Sequence, residues 1–201
     1  MMRKAQSHRK TKETDIDVEL ILDGYGEAEI STGIGFFDHM LHHVAVHGMF
    51  DIRLNAIGDL HIDPHHTIED CALVLGQAFS TALGDRIAIN RMGSFFVPMD
   101  ECLAFAALDF SGRPYWKISI GWTSPSVANL PTTMIDHFFQ SFSAASACNL
   151  HVMTHYGTDN HHLAEASFKA FARALDLATR IDERRADSIP STKGSLTGKG
   201  K

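Results

Sequence analysis

A mixed helix-and-strand unit written twice is the fold that the sequence predicts. Three observations predict it. The pattern strand, strand, helix, strand, helix runs through the chain two times; "FDHM" and "IDHF" place a histidine in the first helix of each run; and the spacing HHxxE recurs, in "DPHHTIED" (63–70) and "NHHLAEAS" (160–167). From His39 to His65 is 26 residues and from His137 to His161 is 24, so the histidines repeat with the elements.

Each element follows from local pattern. "DIDVELIL" (15–22) alternates and is rich in β-branched residues, which predicts a strand, and "GEAEIST" (26–32) is expected as its hairpin partner across "DGYG". "FFDHMLHHVAVH" (36–47) carries Phe37, Met40, Leu41 and Val44 at helical spacing, and Gly48 ends it. "FDIRLNAI" (50–57) is a strand, "GDLHIDP" a turn, and a helix runs from about His65 to Leu83 with Gly84 as its stop. In the second run, "ECLAFAALDF" (101–110) and "YWKISIGW" (115–122) are strands joined by "SGRP". "TTMIDHFFQSFSAASA" (132–147) is a helix opened by Pro131 and a threonine cap, "LHVMTHYG" (150–157) a strand, and residues 161–180 a helix. The repeats span about 12–88 and 91–183 of one domain, 1–201. The tail 185–201, basic and containing Gly, Ser and Pro, reads as a loop or flexible end.

The 201 residues fit one compact unit or two small halves, and 44% hydrophobic against 21% charged residues is an ordinary globular balance with ample core material. A formal net charge of −6 argues against a nucleic-acid binder. No apolar stretch follows the basic start "MMRKAQSHRKTK" and none is long enough for a membrane span, so neither a signal peptide nor a membrane protein is expected. Cys71, Cys102 and Cys148 are scattered and form no CxxC, which fits buried thiols in a reducing compartment rather than disulfides or a thiolate zinc site.

Histidine is the anomaly, at 13 residues. His8, His42, His47, His61, His151 and His155 are read as surface or core histidines. The paired motifs point to metal. Consecutive helical side chains diverge by about 100°, so the two histidines of a pair serve different ions, and the glutamate at i+3 and i+4 neighbours both. With His39 and His137, the supply is six imidazoles (His39, His65, His66, His137, His161, His162) and two carboxylates (Glu69, Glu165). That divides into two sites of three imidazoles and one carboxylate, suited to manganese, iron, cobalt or zinc. A basic and hydroxylic set, Arg91, Arg113, Lys169, Ser191, Thr192 and Lys193, suits a phosphate.

The chain resembles the imidazoleglycerol-phosphate dehydratase family of histidine biosynthesis. The resemblance covers about residues 9–198 and is carried by "TKET" (11–14), "TGIGFFDHML" (32–41), "HGMFD" (47–51), "GDLHIDPHHTIED" (58–70), "DFSGRP" (109–114), "GTDNHHLAEASFKAFARAL" (157–175) and "PSTKG" (190–194). It implies a duplicated α+β fold with helices sandwiched between two four-stranded sheets. It implies two manganese ions per subunit, one on His65, His137, His161 and Glu165, the other on His39, His66, Glu69 and His162. The basic set matches the family's phosphate-binding positions, the tail included, and Glu13 matches an acid/base residue. A cytoplasmic 24-subunit shell with sites shared between subunits is implied as well. Two departures stand out: His43 replaces the family's usual glutamine, and Asp159 stands where asparagine is commoner.

The implied reaction is dehydration of imidazoleglycerol phosphate to imidazoleacetol phosphate through a metal-bound imidazolate that expels the neighbouring hydroxyl. Two rivals compete with it. A metal-dependent hydrolase of a phosphorylated substrate would need bridging carboxylates, and here each glutamate serves one site. A non-enzymatic metal-binding protein would show contiguous or terminal histidines without the phosphate set.

Overall fold

The computed structural model describes residues 2–185 and 188–196; the rest of the expected tail lies outside the described residues. The first sheet has the order β1-β2-β4-β3, from β1 (Lys4–Lys10), β2 (Thr14–Ile21), β3 (Ala28–Ser31) and β4 (Asp51–Gly58). The second has the order β5-β6-β10-β7, from β5 (Met92–Met99), β6 (Cys102–Asp109), β7 (Tyr115–Ser119) and β10 (Asn149–Tyr156). Both are wired alike: the first three strands of each order are antiparallel to their neighbours, and the last pairs in parallel. β8 (Ser126–Val127) and β9 (Leu130–Pro131) form a small ribbon inserted before the third helix.

Four helices fill the space between the sheets. α1 (Gly35–Gly48) and α2 (His65–Leu83) cover the first sheet, and α3 (Thr132–Ser146) and α4 (Asn160–Thr179) cover the second. Across the middle, α2 packs on α3 and α1 packs on α4. The sequence supports this placement. α2 buries Ile68, Cys71, Ala72, Leu75, Ala78 and Phe79 at helical spacing. α4 is buried nearly all round and uses alanine where it meets the sheet. Fully buried Phe138, Phe139, Phe142, Phe168 and Phe171 pack edge-to-face or tilted, joining α3 to α4. The three cysteines are free and buried, and burial pushes the Cys102 and Cys148 thiols up to about 11.

Gly76 sits in mid-helix where α2 meets α3. A Cβ there would lie 2.8 Å from the Phe142 carbonyl oxygen and 2.9 Å from Ala145 Cβ. Helix propensity favours alanine over glycine by about 1 kcal/mol, but backbone cannot retreat as a side chain can. Gly76→Ala is therefore expected to lower stability by about 1–3 kcal/mol, read from denaturant unfolding of the metal-free protein.

The structure corrects three local expectations. β3 is not the hairpin partner of β2: it pairs in parallel with β4. The segment between them is held instead by Asp51, whose Oδ1 accepts from the Tyr25 and Glu27 backbone N–H groups at 2.7 and 3.0 Å, and the chain crosses through α1. The true hairpin partner of β2 is β1, in the basic N-terminal segment, and the partner of β6 is β5. The expected threonine cap of α3 is not made: Pro131 occupies the N-cap, and the Thr132 hydroxyl donates to the Pro125 carbonyl at 3.2 Å.

Candidate metal centre

Pairing α2 with α3 and α1 with α4 sorts the eight expected metal ligands into two half-sites. On α2 and α3, Glu69 stands between His65 and His137. Its Oε2 is 3.7 Å from His65 Nε2 and its Oε1 is 3.7 Å from His137 Nε2. Those separations are too long for hydrogen bonds. His137 Nε2 is buried and has no hydrogen-bond partner among the described residues. An orphaned buried nitrogen fits a metal ligand waiting for its ion, and His65 beside it offers a second imidazole to the same ion, with the Glu69 carboxylate close by.

On α1 and α4, Glu165 is the centre. His39 Nε2 and His161 Nε2 each lie 3.1 Å from Glu165 Oε2, and Lys169 Nζ is 2.6 Å from Oε1. Burial pushes the Glu165 carboxyl up, but Lys169, His43 and His39 outweigh it and hold it down at about 2, so it is a carboxylate throughout the neutral range. His43 joins this group, 3.3 Å from His39 Nε2 and 3.4 Å from Glu165 Oε1. Burial lowers it to about 4, against the pull of Glu165, so it stays neutral. His43 therefore adds a third imidazole to this group, beside His39 and His161, whereas α3 carries Ser141 one turn beyond His137.

The second histidine of each pair points elsewhere, as the 100° step requires. His66 Nδ1 donates to Asp59 Oδ2 at 3.0 Å and lies 3.9 Å from Glu13 Oε2. His162 Nδ1 donates to Glu101 Oε2 at 2.6 Å. Hydrogen bonding to these carboxylates raises both imidazole pKa values. An aspartate two residues before the first histidine of each pair accepts from its backbone N–H: Asp63 Oδ1 from His65 N at 2.8 Å, just outside the Pro64 N-cap of α2, and Asp159 Oδ1, the N-cap of α4, from His161 N at 2.7 Å. Asp159 thus does what the usual asparagine also does at such a position.

Neither quartet implied by the resemblance gathers within one chain. The compact groups are His65, Glu69 and His137, and His39, His43 and Glu165 with His161 beside them. The basic set divides too. Arg91 grips Asp109 with two bonds of 2.6 and 2.9 Å and donates to the Pro190 carbonyl at 2.8 Å, which brings Ser191, Thr192 and Lys193 to this end of the second sheet. Ser191 Oγ there accepts from Lys193 N at 3.1 Å. Arg113 is exposed; its guanidinium reaches only the Ser111 carbonyl at 3.5 Å among the described residues, and its own carbonyl accepts from Asn149 Nδ2 at 2.7 Å, while Lys169 belongs to the Glu165 group.

A family profile described as imidazoleglycerol-phosphate dehydratase matches residues 32–175. The chain belongs to the imidazoleglycerol-phosphate dehydratase family. Among relatives so named, that of Zymomonas mobilis subsp. mobilis is 52% identical over 98% of this chain and 100% of its own. That of Roseiflexus sp. is 51% identical over 96% of this chain and 98% of its own. The crystal structure of the dehydratase from Staphylococcus aureus superposes with a TM-score of 0.80 at 31% identity, covering 89% of this chain and 99% of that one. That from Pyrococcus furiosus in complex with (S)-C348 gives 0.82 at 31% identity, over 94% and 99%. The family's fold, a duplicated α+β unit with helices between two four-stranded sheets, is the fold of this chain.

Sequence reasoning did not single out Asp59, Glu101, Asp70 or Asp109. Asp59 lies inside the quoted "GDLHIDPHH", and Glu101 stands just before β6 as Glu13 stands just before β2, a signal available once the repeats are aligned on their strands.

Proposed function

We propose that the chain is a hydro-lyase that dehydrates imidazoleglycerol phosphate to imidazoleacetol phosphate in histidine biosynthesis, with two manganese ions per subunit at sites completed between subunits. The observation that carries the shared site is the split of ligands into an α2/α3 half and an α1/α4 half, each holding part of both quartets. His65 and His137 of one subunit would meet His161 and Glu165 of another, and His66 and Glu69 would meet His39 and His162. That need calls for a homo-oligomer, and the resemblance implies the 24-subunit shell. Among the described residues no helix is long and apolar enough to cross a membrane. Free buried thiols agree with a cytoplasmic setting.

A bound divalent ion supplies Lewis acidity that makes an imidazole N–H easier to lose. The remaining work falls to the chain. Arg113, Lys169, Ser191, Thr192 and Lys193 take the phosphate, with Arg91 tying the Pro190 segment in place, and so orient the diol. Glu13, exposed beside His66, moves a proton at the diol end. The half-domain boundaries near 88 and 91 fit this reading, since each repeat brings one HHxxE helix.

Turnover of imidazoleglycerol phosphate should be absent in verified metal-free protein and return on adding manganese. Turnover unchanged by metal removal would sink the proposal. Lys193→Ala should weaken substrate binding by about 10-fold or more while leaving metal content alone, as loss of a charge-assisted contact requires. Equal substrate affinity in that variant would remove Lys193 from the phosphate site.

A further inference from the structure

We infer that Glu101 is a positioning residue that fixes the tautomer and direction of His162 for metal binding, and that it is the structural counterpart of Glu13 turned to a different task. The inference rests on the reading of His162 as a ligand.

The two repeats align strand for strand, so the turn before β6 corresponds to the turn before β2. Glu13 and Thr14 then stand opposite Glu101 and Cys102, and His66, Glu69 and Asp70 stand opposite His162, Glu165 and Ala166. In the first repeat the turn is tied to its helix by Asp70. The Thr14 hydroxyl donates to one Asp70 oxygen, and Arg9 Nε donates to the other at 2.8 Å. That tie leaves the Glu13 carboxylate without a side-chain hydrogen bond among the described residues, and a separate group, Asp59, supports His66.

The second repeat lacks the tie, because Ala166 and Cys102 cannot make it. Glu101 makes it instead, from a two-residue turn in which Asp100 takes the left-handed conformation at φ 47°. Glu101 Oε1 accepts from the Thr158 and Asp159 backbone N–H groups at 3.1 and 2.9 Å, and Oε2 accepts from His162 Nδ1 at 2.6 Å. One carboxylate thereby joins the β5–β6 turn, the start of α4 and the imidazole. With Nδ1 donating to a carboxylate, the lone pair of His162 is left on Nε2, the atom available to a cation. His66 receives the same support from Asp59, so both repeats present an oriented imidazole by different routes.

The test measures manganese affinity of each site by chelator competition, with elemental analysis, in the assembled protein, alongside the unfolding midpoint of its metal-free form. Glu101→Ala should weaken one ion by about 10–100-fold, the scale of losing such a support, and leave the other within about 2-fold. Asp59→Ala should weaken the same ion, because His66 and His162 fall in one set. Glu101→Gln keeps the shape and an acceptor oxygen, so it should lose less than alanine; it also keeps the experiment decisive if the alanine variant does not fold. His162→Ala separates the two levels of the argument. If it loses one ion while the Glu101 variants bind both as the wild type does, the positioning role is overturned and the ligand reading stands. If His162→Ala keeps both ions at full affinity, the ligand reading falls and the inference with it. Equal loss of both ions together with a lowered metal-free midpoint would make Glu101 a loop brace only, which also overturns the proposal.

Discussion

Two inactive variants should rescue each other when mixed. His137→Ala removes a ligand from the α2/α3 half-site, and Glu165→Gln blunts the α1/α4 half-site. Under the shared-site proposal both belong to the same ion, but each ion draws them from different subunits. Either variant alone therefore spoils every copy of that site, and turnover should be lost. In a mixed assembly some junctions bring the intact α2/α3 half of the Glu165→Gln subunit to the intact α1/α4 half of the His137→Ala subunit. If subunits mix at random in equal amounts, about a quarter of junctions are whole, because each closed contact draws its two halves independently. Dissociating the variants, combining them and reassembling with manganese should thus recover a substantial fraction of wild-type turnover. No recovery from a verified mixed assembly would place each complete site within one chain and sink the shared arrangement. The orphaned His137 Nε2 makes this variant a clean one, since no hydrogen bond among the described residues is lost with it.

The sequence carries the duplication plainly because the repeat is chemical as well as structural. HHxxE needs a helix to place its three side chains, and α2 and α4 begin at or beside those histidines. β1 was hidden because its residues, "KAQSHRK", are polar and mostly exposed; only Ala5 is buried, so there is no alternation to read. β3 has alternation but no signal for its partner, since parallel pairing with β4 depends on α1 crossing between them. At the site, the candidate residues and their spacing could be read from the sequence, while which of them stand together in the chain could not. Which histidine faces which depends on α2 lying against α3 and α1 against α4, and helix pairing is a property of the packed sandwich. Supporting carboxylates were harder still. Glu101 reaches His162 across 61 residues of chain, and nothing local marks it.

Glu13→Gln should keep both metals and near-normal substrate affinity yet lower turnover by about 100-fold or more, the scale of one general acid/base. The structure gives this variant a sharp comparison. Glu13 sits at the exposed tip of the β1–β2 turn, with its backbone N–H donating to Thr11 Oγ1 at 3.1 Å and its carboxylate 3.9 Å from the His66 imidazole. Asp70 holds that turn against α2 through Thr14 and Arg9, so the position of Glu13 does not depend on its own side chain. A glutamine there leaves the turn in place, fills the same volume and still offers hydrogen bonds. It cannot accept and return a proton. Glu101→Gln changes the same atoms in the corresponding turn, but that carboxylate is committed to His162 and two backbone N–H groups. Its loss should appear in metal affinity, whereas the loss of Glu13 should appear in turnover with metal content intact. Steady-state turnover, substrate affinity and bound manganese measured on both variants separate the two roles. Wild-type turnover in fully metallated Glu13→Gln would exclude Glu13 as the proton carrier and pass that task to another group.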